Sequence, residues 1–160
     1  MKISLIVIGR LKSGPETELF QKYFDRAKKS GAQIGLDFGK VSEFPESRQD
    51  TADLRKKEEA EKILGALAPG SVLICLDERG DNLSSQKLSA SIMSLRDDGI
   101  SEICFVIGGP DGLSAELRQK SRLNIAFGKL TYPHMIMRIL LVEQLYRSIT
   151  IATGHPYHRE

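Results

Sequence analysis

The sequence predicts a single α/β domain over residues 1–160, with a mostly parallel sheet covered by helices on both faces. Two observations carry that prediction. Five apolar runs of strand length recur along the chain, and the gaps between them hold segments whose apolar residues recur at helical spacing. Strands joined through helices need crossover connections, which make neighbouring strands parallel and bury them on both sides. A length of 160 residues is also enough for one substantial core without metal or disulfide support.

The elements follow in order. Ile3 to Ile8 is the first apolar run. Glu16 to Lys29 places Leu19, Tyr23, Phe24 and Ala27 on one helical face. Gln33 to Phe38 reads as the second strand, and Val41 to Asp50, with Pro45 and several polar residues, as a mobile insertion. Thr51 to Leu67 is a helix with Leu54, Ile63 and Leu64 as its apolar members. Its charges from Arg55 to Lys62 read as a solvated face, on which Glu58 and Lys62 make a favourable pair four residues apart. Val72 to Leu76 is the third strand. Leu83 to Leu95 is a helix entered through Ser84 or Ser85 and left through Asp97-Asp98-Gly99. Ile103 to Ile107, the short helix Leu113 to Ser121 and the weaker run Asn124 to Phe127 complete the sheet pattern. From His134 to Ile151 almost no polar face remains, so this helix is expected to be covered on more than one side. A second copy of the chain supplies that cover in a homodimer; a central core helix of a monomer is the other reading.

Composition excludes more than it assigns. A net charge of +2 is too weak to hold nucleic acid by charge alone, so a phosphate-rich partner is permitted and not implied. No run reaches the roughly 18 apolar residues of a membrane span. Met1 to Gly9 is too short and too alternating for a secretory signal, so a cytoplasmic location is expected. Cys75 and Cys104 each sit inside an apolar run and read as small buried hydrophobes. Two isolated thiols make neither a disulfide framework nor a metal site, and no metal is expected.

Four segments carry candidate chemistry. Ile107-Gly108-Gly109-Pro110-Asp111-Gly112 joins a strand to a helix, where glycines let the backbone approach a ligand closely. It matches neither a Walker loop nor a dinucleotide fingerprint; without a ligand it is an ordinary tight turn. Leu76-Asp77-Glu78-Arg79-Gly80 lies at another strand end, its acids either facing a ribose or cation or simply exposed. Phe127-Gly128-Lys129-Leu130-Thr131-Tyr132-Pro133-His134 leads into the apolar helix, with Arg138 one turn beyond His134 on the same face. The tail, Gly154-His155-Pro156-Tyr157-His158-Arg159-Glu160, gathers residue types that stack on and hydrogen-bond an unpaired base. Chain ends also often carry nothing.

In order, these segments resemble the ribosomal RNA large-subunit methyltransferase H family, a branch of the SPOUT methyltransferases. The likeness runs over essentially the whole chain. It is most specific in Phe105 to Leu113, in Tyr132-Pro133-His134 with Met137-Arg138, in Glu143-Gln144-Leu145-Tyr146-Arg147, and in the tail from His155. The resemblance implies a homodimer whose C-terminal part is threaded into a trefoil knot. It also implies methylation of N3 of a pseudouridine in 23S rRNA, on the assembled ribosome, with S-adenosyl-L-methionine as cofactor. The positions that match the family's cofactor loops are Leu76, Gly108 and the run Phe127, Gly128, Lys129, Leu130, Thr131 and Tyr132, to which the glycine loop adds Gly109. The N3 proton must leave and the base must be held in line, so His134, Arg138, Tyr157, His158 and Arg159 are the candidate catalytic groups. The tail is expected to reach the partner subunit's site. Two other readings stay open: a non-enzymatic RNA- or ribosome-binding module, and a SPOUT methyltransferase acting on another RNA such as a transfer RNA.

Overall fold

A computed structural model describes residues 1–158. Its elements are β1 (Lys2–Ile8), α1 (Pro15–Ala32), β2 (Asp37–Phe44), α2 (Ala52–Ala66), β3 (Val72–Asn82), α3 (Ser85–Asp97), β4 (Glu102–Ile107), α4 (Ala115–Lys120), β5 (Leu123–Ala126) and α5 (His134–Ala152). The five strands form one sheet in the order β2-β1-β4-β3-β5, and every neighbouring pair is parallel.

Alternation along each strand divides the core in two. Leu5, Val7, Ile74, Leu76, Phe105 and Ile107 pack with α1, α3 and α5. Ile6, Ile8, Leu73, Cys75, Cys104 and Val106 pack with α2 and α4 on the opposite face. Strands covered on both sides have no polar face to display, hence the uninterrupted apolar runs. The connections β1 to β2 and β3 to β4 step one way across the sheet, and β2 to β3 and β4 to β5 step the other. A single crossover hand therefore sends α1 and α3 to one face and α2 and α4 to the other.

Helix starts follow local chemistry. Thr51, Ser84 and Ser114 each accept a hydrogen bond from a backbone N–H three residues on, capping α2, α3 and α4. The apolar α5 lies against both α1 and α3, and Leu141, Val142, Leu145 and Ile149 are buried there. Both cysteines are buried, and burial pushes the Cys75 thiol up to about 12 and that of Cys104 to about 11. No helix among the described residues is long and apolar enough to cross a membrane.

Three segments differ from the sequence reading. The second strand is Asp37–Phe44, not Gln33 to Phe38: Gln33 caps α1, and Gly35 turns the chain at φ 74°. β2 is an edge strand with only Phe38 fully buried, so it lacks the apolar run that marks the others. The expected mobile insertion is in part that strand, and its remainder is tied to α2. Ser47 is buried, its N–H donates to Glu59 Oε1 at 2.9 Å, and Arg55 holds the Gln49 carbonyl at 2.9 Å. Finally, β3 continues past Leu76 to Asn82. Leu76 and Asp81 both stand opposite Ile125, so residues 77–80 bulge out between them.

Candidate active site

Because β4, β3 and β5 are consecutive in the sheet, the chain leaving each of them arrives at one edge. That edge is where parallel sheets bind ligands. Residues 76–79, 107–116, 126–128 and 130–134 there line a cleft of about 830 Å³, within the usual range for a small-molecule site.

The glycine loop after β4 is shaped by close packing. A Cβ on Gly108 would meet the Leu113 side chain at 2.9 Å, and one on Gly109 would meet Glu59 Oε2 and Ile8 at 3.1 Å. Gly112, at φ 80°, donates to the Gly109 carbonyl at 2.9 Å and closes the turn. Asp111 is gripped by Arg55 at 2.6 and 3.0 Å, and this hydrogen-bonded pairing holds its carboxyl below the usual carboxylate range. Glu59 behaves oppositely: only 4% exposed, its carboxyl is pushed up chiefly by burial.

The other two walls are also fixed. Gly80 lets the β3 bulge lie on β5, since a Cβ there would come within 2.6 Å of the Asn124 carbonyl. Asp77 accepts from the Arg79 N–H at 3.0 Å and pairs with Arg118 at 3.6 Å. Gly128 stands at φ 104°, and its N–H donates to Asn82 Oδ1 at 2.8 Å, joining the third loop to the end of β3. The walls are therefore largely main chain, glycine and apolar side chains, with the acids Asp77, Glu78 and Asp111 among them. Such a surface suits a small ligand held largely by main-chain groups, with acids placed to meet positive charge on it.

Leu76, Gly108, Gly109, Phe127, Gly128, Leu130, Thr131 and Tyr132 line this cleft, whereas Lys129 is exposed and off its wall. Leu130 is 72% exposed at the rim. His134 reaches the cleft, its Nε2 lying 3.9 Å from Glu46 Oε1. Arg138 lies behind it, 1% exposed, ion-paired with Glu43 and donating to the Gly9 carbonyl at 3.1 Å. Its Nε is buried without a hydrogen-bond partner among the described residues. Tyr157 and His158 pack elsewhere. Tyr157 packs on Tyr146 with ring centres 4.7 Å apart and the rings tilted by 56°, and His158 Nε2 is 3.5 Å from Gln86 Nε2. A smaller cavity of about 300 Å³, walled by Ser85 and Gln144, shares Phe127, Gly128 and Tyr132 with the main cleft. Arg159 lies outside the described residues.

Sequence reasoning passed over Arg55, Glu59 and Gly80 as shapers of the site. The two charged residues carry only a charge-cluster signal, which also fits a solvated face. The glycine ends the Leu76 to Gly80 segment, but its need is set by β5, some forty residues later.

Comparison with known proteins adds the following. A family model described as "Predicted SPOUT methyltransferase" matches residues 1–158. A protein of Brucella anthropi (strain ATCC 49188) named "Ribosomal RNA large subunit methyltransferase H" is 53% identical over 159 residues, covering 99% of each chain. One of the same name from Rhizobium leguminosarum bv. trifolii (strain WSM2304) is 48% identical over 159 residues with the same coverage. Among solved structures, a probable methyltransferase from Bordetella pertussis Tohama I aligns with a TM-score of 0.53. It covers 92% of this chain and 95% of its own, at 15% identity, a likeness of fold alone.

Proposed function

From the premise that this chain belongs to the SPOUT methyltransferase family, we propose that it methylates N3 of a pseudouridine in 23S rRNA with S-adenosyl-L-methionine. The observation that carries this reading is the convergence of the loops after β3, β4 and β5 on one cleft. The relatives named for the ribosomal large subunit, at 48 and 53% identity along the full chain, favour ribosomal RNA over transfer RNA and over a module without activity.

In this reading Leu76, Gly108, Gly109 and the run from Phe127 to Tyr132 hold the cofactor, Lys129 from the outer side. S-adenosyl-L-methionine supplies a methyl group attached to a positively charged sulfur. The chain's part is to hold the acceptor nitrogen in line and to take its proton. His134 is the candidate base at the cleft wall, through Nε2. Arg138 supports it from behind by fixing Gly9 and Glu43, while in a homodimer His158 and Arg159 of the tail reach the partner subunit's cleft and offset charge developing on the base there. Tyr157 brings the tail into place.

The finer architecture belongs to the same proposal. Residues 127–133 pass from the β5 edge to α5 across the ends of β3 and β4, a path that favours a trefoil-threaded C-terminal part. A homodimer is favoured by Leu19 and Ile136, exposed on α1 and α5. Both helices begin at the sheet edge that bears the cleft. With a net charge of +2, the protein relies on the shape of an assembled ribosome in the cytoplasm more than on a broad cationic surface.

The test is transfer of radiolabelled methyl from S-adenosyl-L-methionine to intact ribosomes, to naked 23S rRNA and to transfer RNA. Label in 23S rRNA from intact ribosomes is expected. Label in transfer RNA alone, or none with calorimetry showing no cofactor binding, would refute the reading.

A further inference from the structure

The segment Glu143-Gln144-Leu145-Tyr146-Arg147 lies in the middle of α5, away from the cleft wall, and cofactor binding leaves it without a role. Its side chains are spoken for by the tail and by the start of α3. Glu143 Oε1 accepts from the Tyr157 hydroxyl at 3.0 Å and from Arg147 Nε at 3.0 Å. The Arg147 guanidinium lies over the Tyr157 ring, 4.9 Å from its centre, and Tyr146 packs against the same ring. From α1, Tyr23 places its hydroxyl 3.5 Å from that of Tyr157. Gln144 Oε1 accepts from Ser85 at 2.8 Å, next to the Gln86 that contacts His158.

We propose that Glu143 and Arg147 are positioning residues that clasp Tyr157, fix the tail's path along α5 and set His158 at the start of α3. One side of the clasp is a carboxylate bound to both a guanidinium and a phenol. The other is an aromatic pair with a cation over it. Each is a directional contact, so together they fix an orientation that nonspecific packing would not. Glu143 and Arg147 sit one helical turn apart, which lets a single turn of α5 supply both contacts. Among the described residues the buried Nδ1 of His158 has no hydrogen-bond partner, which leaves it available to a ligand. His158 contacts Gln86, whose neighbour Ser85 lines the smaller cavity, and that cavity shares Tyr132 with the main cleft. The clasp thus fixes the direction in which the tail leaves α5, outside this chain's own main cleft, so cofactor binding is expected to be independent of it. This last step rests on the proposed part of the tail in methyl transfer.

The experiment treats the full-length protein with carboxypeptidase and follows trimming by intact mass, alongside methylation kinetics on ribosomes. The wild type is expected to stall at Tyr157. Glu143→Ala should release Tyr157 about tenfold faster, the loss of one hydrogen bond to a charged group. Glu143→Asp should partly restore the stall. Glu143→Ala should also lower kcat and leave KM for S-adenosyl-L-methionine unchanged. Tyr157→Phe, which keeps the ring and removes only the hydroxyl, repeats the test should Glu143→Ala fold poorly. Trimming at the wild-type rate in both variants overturns the clasp, whatever the kinetics show. Faster trimming with unchanged kcat upholds the clasp and overturns the tail's part in the reaction.

Discussion

Arg55, in the first turns of α2, grips Asp111 of the glycine loop with two bonds of 2.6 and 3.0 Å, across 56 positions of sequence. The same guanidinium holds the Gln49 carbonyl at 2.9 Å, so one side chain braces the loop after β2 against the loop after β4. An exposed ion pair adds little stability. Here its effect is positional: it fixes the outer end of the Gly108–Gly112 turn. Arg55→Ala is expected to raise KM for S-adenosyl-L-methionine roughly two- to fivefold with little change in melting temperature. Steady-state kinetics with calorimetric cofactor titration checks this.

Glu59 gives a pH dependence of known sign. Burial raises its carboxyl above the unfolded value, so the folded state binds the proton more readily than the unfolded chain. Its contribution to stability is complete below the unfolded value and is lost as pH rises through the folded one. Glu59→Gln should therefore gain melting temperature relative to wild type as pH rises from about 4.3 towards neutrality. Paired thermal melts across that range show whether the gap widens with pH.

The β3 bulge depends on Gly80, whose added methyl would meet the Asn124 carbonyl at 2.6 Å. Backbone cannot yield as a flexible side chain does. Gly80→Ala is expected to cost roughly 1–3 kcal/mol in denaturant unfolding. Because the bulge forms one cleft wall, cofactor affinity should fall as well. Gly65→Ala, at an α2 position with open space around it, serves as the control and should not destabilise.

Tyr157 should betray its clasp spectroscopically. Burial, then the hydrogen bonds to Tyr23 and Glu143, push its phenol above the ordinary value near 10. A raised folded value means that its stabilisation is complete below about pH 10 and fades as pH climbs through the folded value. Alkaline titration of phenolate absorbance should show a late-ionising step, absent in Tyr157→Phe. An identical titration curve in the two proteins would contradict the packing of the ring.

Much of this was legible in the chain. The strands buried on both faces stand out as apolar runs, and Ser84 marks the entry to α3, while the starts of α3 and α4 lie two residues after the expected Leu83 and Leu113. β2 did not, because an edge strand exposes one side and its polar residues broke the pattern. Most of the expected cofactor residues meet at one sheet edge, since strand-end loops of a parallel sheet converge whatever their spacing. What the sequence could not display were cross-chain demands. Arg55 looked like one charge in a solvated cluster, and Gly80 like an ordinary loop glycine. Arg138, one turn from His134, turns inward to Glu43 and the Gly9 carbonyl, a partner set by the end of β1. The tail's packing on its own α5 likewise depends on residues ten and more positions apart, which only the folded helix brings together.

The most direct measurement is nucleoside mass spectrometry of 23S rRNA from cells lacking this gene, with and without a plasmid copy. The account predicts loss of one N3-methylated pseudouridine and its return with the wild-type copy, but not with Gly108→Val, whose side chain would collide with Leu113. A methylated nucleoside undiminished in the deletion strain would contradict it.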